Sequence, residues 1–366
     1  MSKITVHLIA AARPNFMKIA PLYHALMATD WCDPQIVHTG QHYDSNMSDA
    51  FFRDLRLPVP AFNLGIGSGS HAEQTGGVMI AYEKVCSDNR PDWIIVVGDV
   101  NSTAACAIVG AKLWIPVVHL EAGLRSGDRR MPEEINRLIT DAIADVLWTP
   151  SVDADENLIR EGVSKDKIDL IGNIMIDSFE LLRDKIEASH SRQKLGLLNT
   201  DYAVMTLHRP SNVDHAETLL AIVNALEKIA DDIQLVFVAH PRTMKNLEIY
   251  DMRDRLEGID NVDLLDPLPY VDFMNVLTGA RIVITDSGGL QEETTYLDIP
   301  CLTLRVNTER PVTVTQGTNE LVGSADLPKQ VQKILSGHWK KGSCPPLWDG
   351  HTASRAVQSL EKRLSV

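Results

Sequence analysis

Residues 93–121 read WIIVVGDVNSTAACAIVGAKLWIPVVHLE, and the punctuation of this stretch decides the fold. It opens with five consecutive apolar residues over 93–97, too short for a helix and rich in β-branched side chains. Such a run is a strand buried on both faces. Gly98 and Asp99 end it, a helical pattern occupies 102–113, and a second apolar run follows at 116–119. Apolar strands separated by single helices predict a parallel sheet covered on both sides.

The alternation extends in both directions. Strand-like runs lie at 4–9 and 35–38 before it and at 146–149 and 168–171 after it. Helical patterns lie at 17–27, 75–85 and 133–144. A charged stretch over 177–198 reads as a helix and a connection, and then the pattern restarts. Strands are predicted at 203–207, 234–239, 262–265, 281–285 and 301–304, with helices at 216–229 and 272–278. The fold class is therefore α/β, two Rossmann-like doubly wound domains facing a central cleft. The first domain covers 1–173 and the second 174–351. Ala356, Val357, Leu360 and Leu364 stand at helical spacing, so a terminal helix over 352–366 is expected to complete the first domain.

A chain of 366 residues is long enough for two cores. Its composition, 44% hydrophobic and 23% charged, is that of an ordinary globular protein. No apolar run approaches the roughly 18–20 residues that span a bilayer. The opening MSKITVHLI runs into the first strand without a signal-peptide layout. A cytoplasmic protein with no membrane partner is expected. A formal net charge of −14 argues against nucleic acid. The five cysteines are scattered, with no CxxC or Cys/His cluster, which suits buried thiols better than a disulfide scaffold or a zinc site. There is no GxxxxGK[ST], no GxGxxG after the first strand and no HExxH. No metal and no cofactor is expected.

The unusual polar clusters fall just after predicted strands. Ala11 and Ala12 allow a tight turn, Pro14 suits the first turn of a helix, and Arg13 and Lys18 add charge where helix amides can meet an anion. Ser287, Gly288 and Gly289 follow the strand at 281–285. The serine can cap the next helix, and the glycines let phosphate oxygens approach the amides. Glu293, almost two turns on, could accept from ribose hydroxyls or simply be a solvated helix residue. Asp99 and Glu121 sit at strand ends among small residues, and Glu133 and Glu134 open a helix after Pro132. Converging carboxylates raise one another's pKa and make useful bases, whereas Glu134 could be only a partner of the helix dipole. Arg125 and Arg137 could temper that repulsion or hold substrate. His208 ends the first strand of the second domain, where an imidazole can stabilise or protonate a departing phosphate. His240 occupies the same kind of edge.

Taken in order, nine segments resemble the non-hydrolysing UDP-N-acetylglucosamine 2-epimerases. They are Ala12-Arg13-Pro14 with Lys18; Thr39-Gly40-Gln41-His42; Gly98-Asp99; His119 to Arg125; Pro132 to Arg137; Gly172-Asn173 with Asp177; His208-Arg209; Asp286 to Gly289 with Gln291-Glu292-Glu293; and Thr308-Glu309-Arg310-Pro311. The resemblance implies a glycosyltransferase-B-like fold and a homodimer acting on a UDP-N-acetylhexosamine. It implies that Arg13, Ser287, Gly288, Gly289 and Glu293 hold UDP with His208 near the diphosphate. Asp99, Glu121 and Glu133 would be the acid/base carboxylates with Lys18 beside them, and Arg125, Asn173 and Arg310 would complete the binding of substrate. UDP would leave by anti elimination, a 2-acetamidoglucal would stay bound, and UDP would return by syn addition. A hydrolysing 2-epimerase releasing N-acetylmannosamine, or a transferase on the same architecture, are the alternatives. Gln41, His42 and His240 match parts of the second, allosteric substrate site of regulated members, but the stretch 65–76 lacks that site's arginine. The first loop reads Ala11-Ala12-Arg13-Pro14-Asn15 where the family usually has Gly-Thr-Arg-Pro-Glu.

Overall fold

The computed structural model of the chain describes residues 3–40 and 52–364. The chain divides into two compact units, Met1–Leu181 with Pro346–Val366, and Leu182–Pro345.

In the first unit the opening stretch becomes β4 (Trp93–Val97), a helix Asn101–Lys112 and β5 (Val117–Leu120). Ile94 to Val97 lie opposite Val117 to Leu120 in parallel register. The sheet also contains β1 (Ile4–Ala10), β2 (Cys32–His38), β3 (Phe62–Asn63), β6 (Val146–Thr149) and β7 (Ile168–Leu170). The order is β3-β2-β1-β4-β5-β6-β7, so the chain winds outward in opposite directions from β1 and β4. Loops leaving the C-terminal ends of strands at such a reversal converge on one edge. Here they carry Arg13, Asp99 and Glu121.

Ile94, Ile95 and Val96 are fully buried, each worth roughly 1.5–3 kcal/mol of transfer free energy. Gly110 lets its helix lie close on these strands, because a Cβ there would come within 2.6 Å of Val117 Cγ2. The terminal helix Thr352–Leu364 packs against the helix Arg13–Met27 of the same unit. Asp177 fixes its start by accepting from the Thr352 and Ala353 amides at 3.1 and 2.8 Å, and Ser359 meets the Trp148 indole at 2.7 Å.

The second unit holds β8 (Tyr202–Thr206), β9 (Gln234–Val238), β10 (Val262–Leu265), β11 (Ile282–Thr285), β12 (Cys301–Thr303) and β13 (Asn319–Leu321). Their order is β10-β9-β8-β11-β12-β13, with the reversal between β8 and β11. Met205, Leu226, Phe237, Ile284 and Val331 form its core. Two edge strands, β3 and β13, lie beyond the predicted set, and β2 starts earlier than 35. Pro34 sits inside β2 without penalty because β3 pairs only with Val37 and His38, leaving that edge open beside the proline. Cys32, Cys86, Cys106 and Cys301 are buried free thiols, and Cys344 is exposed. Among the described residues no helix is long and apolar enough to cross a membrane.

His7 is fully buried in β1, with Nδ1 3.1 Å from the Tyr82 hydroxyl. Burial pushes its pKa from 6.5 down to about 4. The unfolded chain therefore takes up a proton that the fold refuses, and this unit is expected to lose stability as pH falls from about 6.5 to 4. The loss amounts to about 3 kcal/mol over that window. Hydrogen exchange of β1 and β4 amides against pH measures it, and His7→Gln should flatten the dependence; an unchanged slope in the variant would remove His7 as the cause.

Candidate functional site

Two clusters of functional side chains stand at strand C-termini, one in each unit. In the first, the chain leaves β1 through Ala11 and Ala12 into the helix Arg13–Met27. Buried Asn15 locks this turn, accepting from the Ala12 amide at 3.0 Å and donating to the Val97 carbonyl at 3.2 Å. The second of these bonds requires an amide, since an ionised glutamate has no proton to give. Arg13 is exposed and has no ion pair among the described residues. One turn further, Lys18 Nζ reaches Glu121 Oε2 at 2.5 Å. Glu121 is buried, its backbone is left-handed at φ 72°, and its other oxygen, Oε1, has no hydrogen-bond partner. Gly98 makes room for the pair: a Cβ there would lie 3.4 Å from Lys18 Nζ and 3.5 Å from Glu121 Oε2. The structure thus brings Lys18, Glu121 and the Gly98–Asp99 turn together.

Asp99 pairs with the guanidinium of Arg137, which is almost fully buried and also meets Glu134 at 2.5 Å. Asn136 holds the Asp99 carbonyl at 2.9 Å. Glu134 accepts from the Ser126 and Gly127 amides at 3.0 Å each. Burial alone would raise its pKa, but the Ser126 amide and Arg137 outweigh that and hold it below the ordinary range. Glu134 is therefore a loop brace. Glu133, one position earlier on the helix Pro132–Ile143, is partly buried and has no ion pair among the described residues. Arg125 is engaged by Asp141 and Glu161, both at 2.7 Å. Asn173 is fully buried beside the helix Ile174–Ala188, its Oδ1 accepting from the Met175 amide at 2.9 Å while Nδ2 lacks a partner.

In the second unit the organiser is Asp286, fully buried at the end of β11. It accepts from the His208 and Arg209 amides at 3.1 and 2.8 Å, from Asn212 at 3.0 Å, and from His208 Nδ1 at 2.9 Å. His208 is thereby held through one nitrogen while its ring remains partly exposed. His240 follows β9 at the cap of the helix Pro241–Ile249, with its ring centroid 5.8 Å from that of His208. Burial, and then the charges of His208 and Arg242, push its pKa down.

Ser287 occupies the cap position of the helix Gly288–Tyr296, but its side chain makes no capping bond. This corrects the expected capping role: Thr285 Oγ1 and Gln291 hold the Ser287 backbone instead, at 3.0 and 3.2 Å. The first-turn amides of a helix have no intrahelical partner, and the Ser287 side chain does not supply one. A Cβ on Gly288 would meet Arg310 Nη1 at 2.6 Å and Glu309 Oε1 at 2.8 Å, whereas Gly289 faces open space. Arg310 lies under this turn, paired with Glu292 at 2.7 Å and Glu309 at 2.6 Å.

Glu293 is buried and accepts from the Tyr270 hydroxyl at 2.7 Å. Burial, opposed by Tyr270 and reinforced by Glu292, raises its pKa from 4.5 to about 7. The sign is opposite to that of His7: the fold keeps a proton the unfolded chain gives up. The second unit should therefore lose stability as pH rises from about 4.5 to 7, by about 3 kcal/mol. Protection of β11 amides against exchange should strengthen on acidification while that of β1 weakens; parallel slopes would refute the pair of assignments.

Gln41 and His42 lie outside the described residues. Asn15, Tyr270, Asp286 and the His119–Asp141 couple were given no role by sequence reasoning. Only Asp286 carries a local signal, standing between an apolar strand and Ser-Gly-Gly. Among the described residues no group of His, Cys, Asp and Glu could hold a metal ion.

A family model described as UDP-N-acetylglucosamine 2-epimerase matches residues 24–361. The UDP-N-acetylglucosamine 2-epimerase of Methanocaldococcus jannaschii is 42% identical over 364 residues, covering 96% of this chain and 98% of that protein. The UDP-2,3-diacetamido-2,3-dideoxy-D-glucuronate 2-epimerase of Pseudomonas aeruginosa is 39% identical, covering 97% and 98%. The crystal structure of the M. jannaschii UDP-GlcNAc 2-epimerase in complex with UDP-GlcNAc and UDP superimposes with a TM-score of 0.88 at 41% identity, covering 98% of this chain and all of that one.

Proposed function

The chain belongs to the UDP-N-acetylglucosamine 2-epimerase family, and from that premise we propose that it interconverts UDP-GlcNAc and UDP-ManNAc through a retained intermediate. A carboxylate takes the proton from C2 while the C1–O bond to UDP breaks. The C–H electron pair becomes the C1=C2 bond of 2-acetamidoglucal, and the C–O pair leaves on the β-phosphate. UDP then adds back to C1 on its original face as C2 receives a proton from that same face.

A sugar C2 proton is far from acidic, so its removal depends on stabilising the departing diphosphate. Arg13, His208 and the amides of Ser287, Gly288 and Gly289 take that role. Glu293 receives the ribose. Asp99, Glu121 and Glu133 serve both faces of the ring, since one proton must leave and another arrive on opposite sides. Lys18 pairs with Glu121 and can return a proton. Asn173 offers Nδ2 to the substrate, while Arg125 and Arg310 act through the turns they brace.

The observation that carries this reading is Glu121: a buried carboxylate with one oxygen on Lys18 and the other without a partner. A buried acceptor left open in this way is free to meet a proton brought in by a substrate. Purified protein given UDP-GlcNAc alone, with no acceptor, should accumulate UDP-ManNAc and keep UDP-sugar constant. Free N-acetylmannosamine with stoichiometric UDP would overturn the retained intermediate in favour of hydrolysis. The sugar named for the P. aeruginosa relative poses the same problem at C2, so UDP-2,3-diacetamido-2,3-dideoxyglucuronate belongs in the same assay.

A further inference from the structure

We propose that His119 and Asp141 form a buried positioning couple that fixes the Gly98–Asp99 turn against the Glu121–Gly123 turn. The inference rests on the function proposed above only for the chemistry assigned to those turns. His119 lies in β5 and Asp141 on the helix Pro132–Ile143, and both are buried. His119 Nδ1 meets Asp141 Oδ1 at 2.5 Å, and Nε2 meets the Gly98 carbonyl at 2.8 Å. Asp141 Oδ2 accepts from the Gly123 amide at 3.1 Å and pairs with Arg125 at 2.7 Å. One imidazole and one carboxylate therefore tie the peptide preceding Asp99 to the peptide two residues after Glu121.

Hydrogen-bond logic gives the couple its charge state. A carbonyl only accepts, so Nε2 donates to Gly98. Burial alone would raise the Asp141 pKa, but His119 and Arg125 outweigh it and hold the carboxyl below the ordinary range. An ionised carboxylate also only accepts, so Nδ1 donates as well. Each ring nitrogen thus faces an acceptor, and Arg125 and Glu161 close the set around Asp141. Such a set is stable only when complete, because removing one member strands a buried charge.

The tied turns need a restraint. Gly98, Glu121 and Gly123 all have left-handed backbones, with φ of 67°, 72° and 79°, and Glu121 has no glycine's freedom to adopt it. His119 touches none of the reacting groups. It sets where Asp99 and Glu121 stand.

The test uses the whole chain. With 15N-labelled histidine, the His119 ring, assigned through contacts to Gly98, should show two protonated nitrogens at neutral pH; one bare nitrogen would overturn the couple. His119→Gln keeps one donor and loses the other. Its kcat should fall about 10–100-fold, the scale of a small misplacement of catalytic groups, with KM for UDP-GlcNAc and the Kd of UDP within about twofold. Unchanged kcat, or kcat and UDP affinity falling together, would contradict positioning. If the variant fails to fold, the ring measurement on the native chain decides alone. It needs no turnover, so an inactive chain with a doubly protonated ring would sink the proposed function and spare the couple.

Discussion

Asp99→Asn and Glu121→Gln are each expected to lower turnover of UDP-GlcNAc by two or more orders of magnitude while leaving UDP affinity near its native value. The reason is what each carboxylate is paired with. Asp99 faces Arg137, whose guanidinium it shares with Glu134. The amide variant preserves shape but removes the charge that makes Asp99 a proton acceptor. Glu121→Gln likewise leaves Lys18 without its anion and deletes the base or its conjugate acid. Loss of a general acid or base costs about 10²–10⁴ in rate. UDP affinity is the control, because the residues assigned to the nucleotide lie mainly on the other unit. Steady-state kcat with UDP titration reads both quantities, and near-native rates in both variants would remove these carboxylates from the chemistry.

His208→Ala is the second large effect, again two or more orders of magnitude in kcat. Asp286 orients the ring through Nδ1 and holds the His208 and Arg209 amides as well, so Nε2 remains to serve the leaving phosphate. Removing one fixed donor to developing charge costs about 10²–10³. The backbone bonds to Asp286 survive the substitution, so the strand end should keep its shape. A variant with normal kcat and only a raised KM would show that His208 binds UDP equally in ground and transition states.

Legibility in the sequence followed the range of each interaction. The β4–helix–β5 unit was readable because its β-branched runs fix a period over adjacent residues. The short edges β3 and β13 have too few residues to show any period. The strand-end polar groups were readable because parallel sheets put sites there, and Glu134 behaves as the brace that its helix-start position allowed. Asp99's partner was half readable, since Arg137 lies one helical turn from Glu134. The His119–Asp141 couple was not readable. Nothing local links a strand histidine to a helix aspartate 22 residues away; only the packing of that helix onto β5 joins them. Ser287 failed in its detail for a similar reason, because Thr285 and Gln291 determine how its backbone is held.

Epimerisation by elimination and re-addition requires that C2 lose its own hydrogen and gain another from the medium. Incubation with UDP-GlcNAc in heavy water, followed by proton NMR of the C2 position, reads this directly. Deuterium should enter C2 of the UDP-ManNAc formed, and then of both epimers as they equilibrate. Epimerisation with the original hydrogen retained at C2 would contradict it.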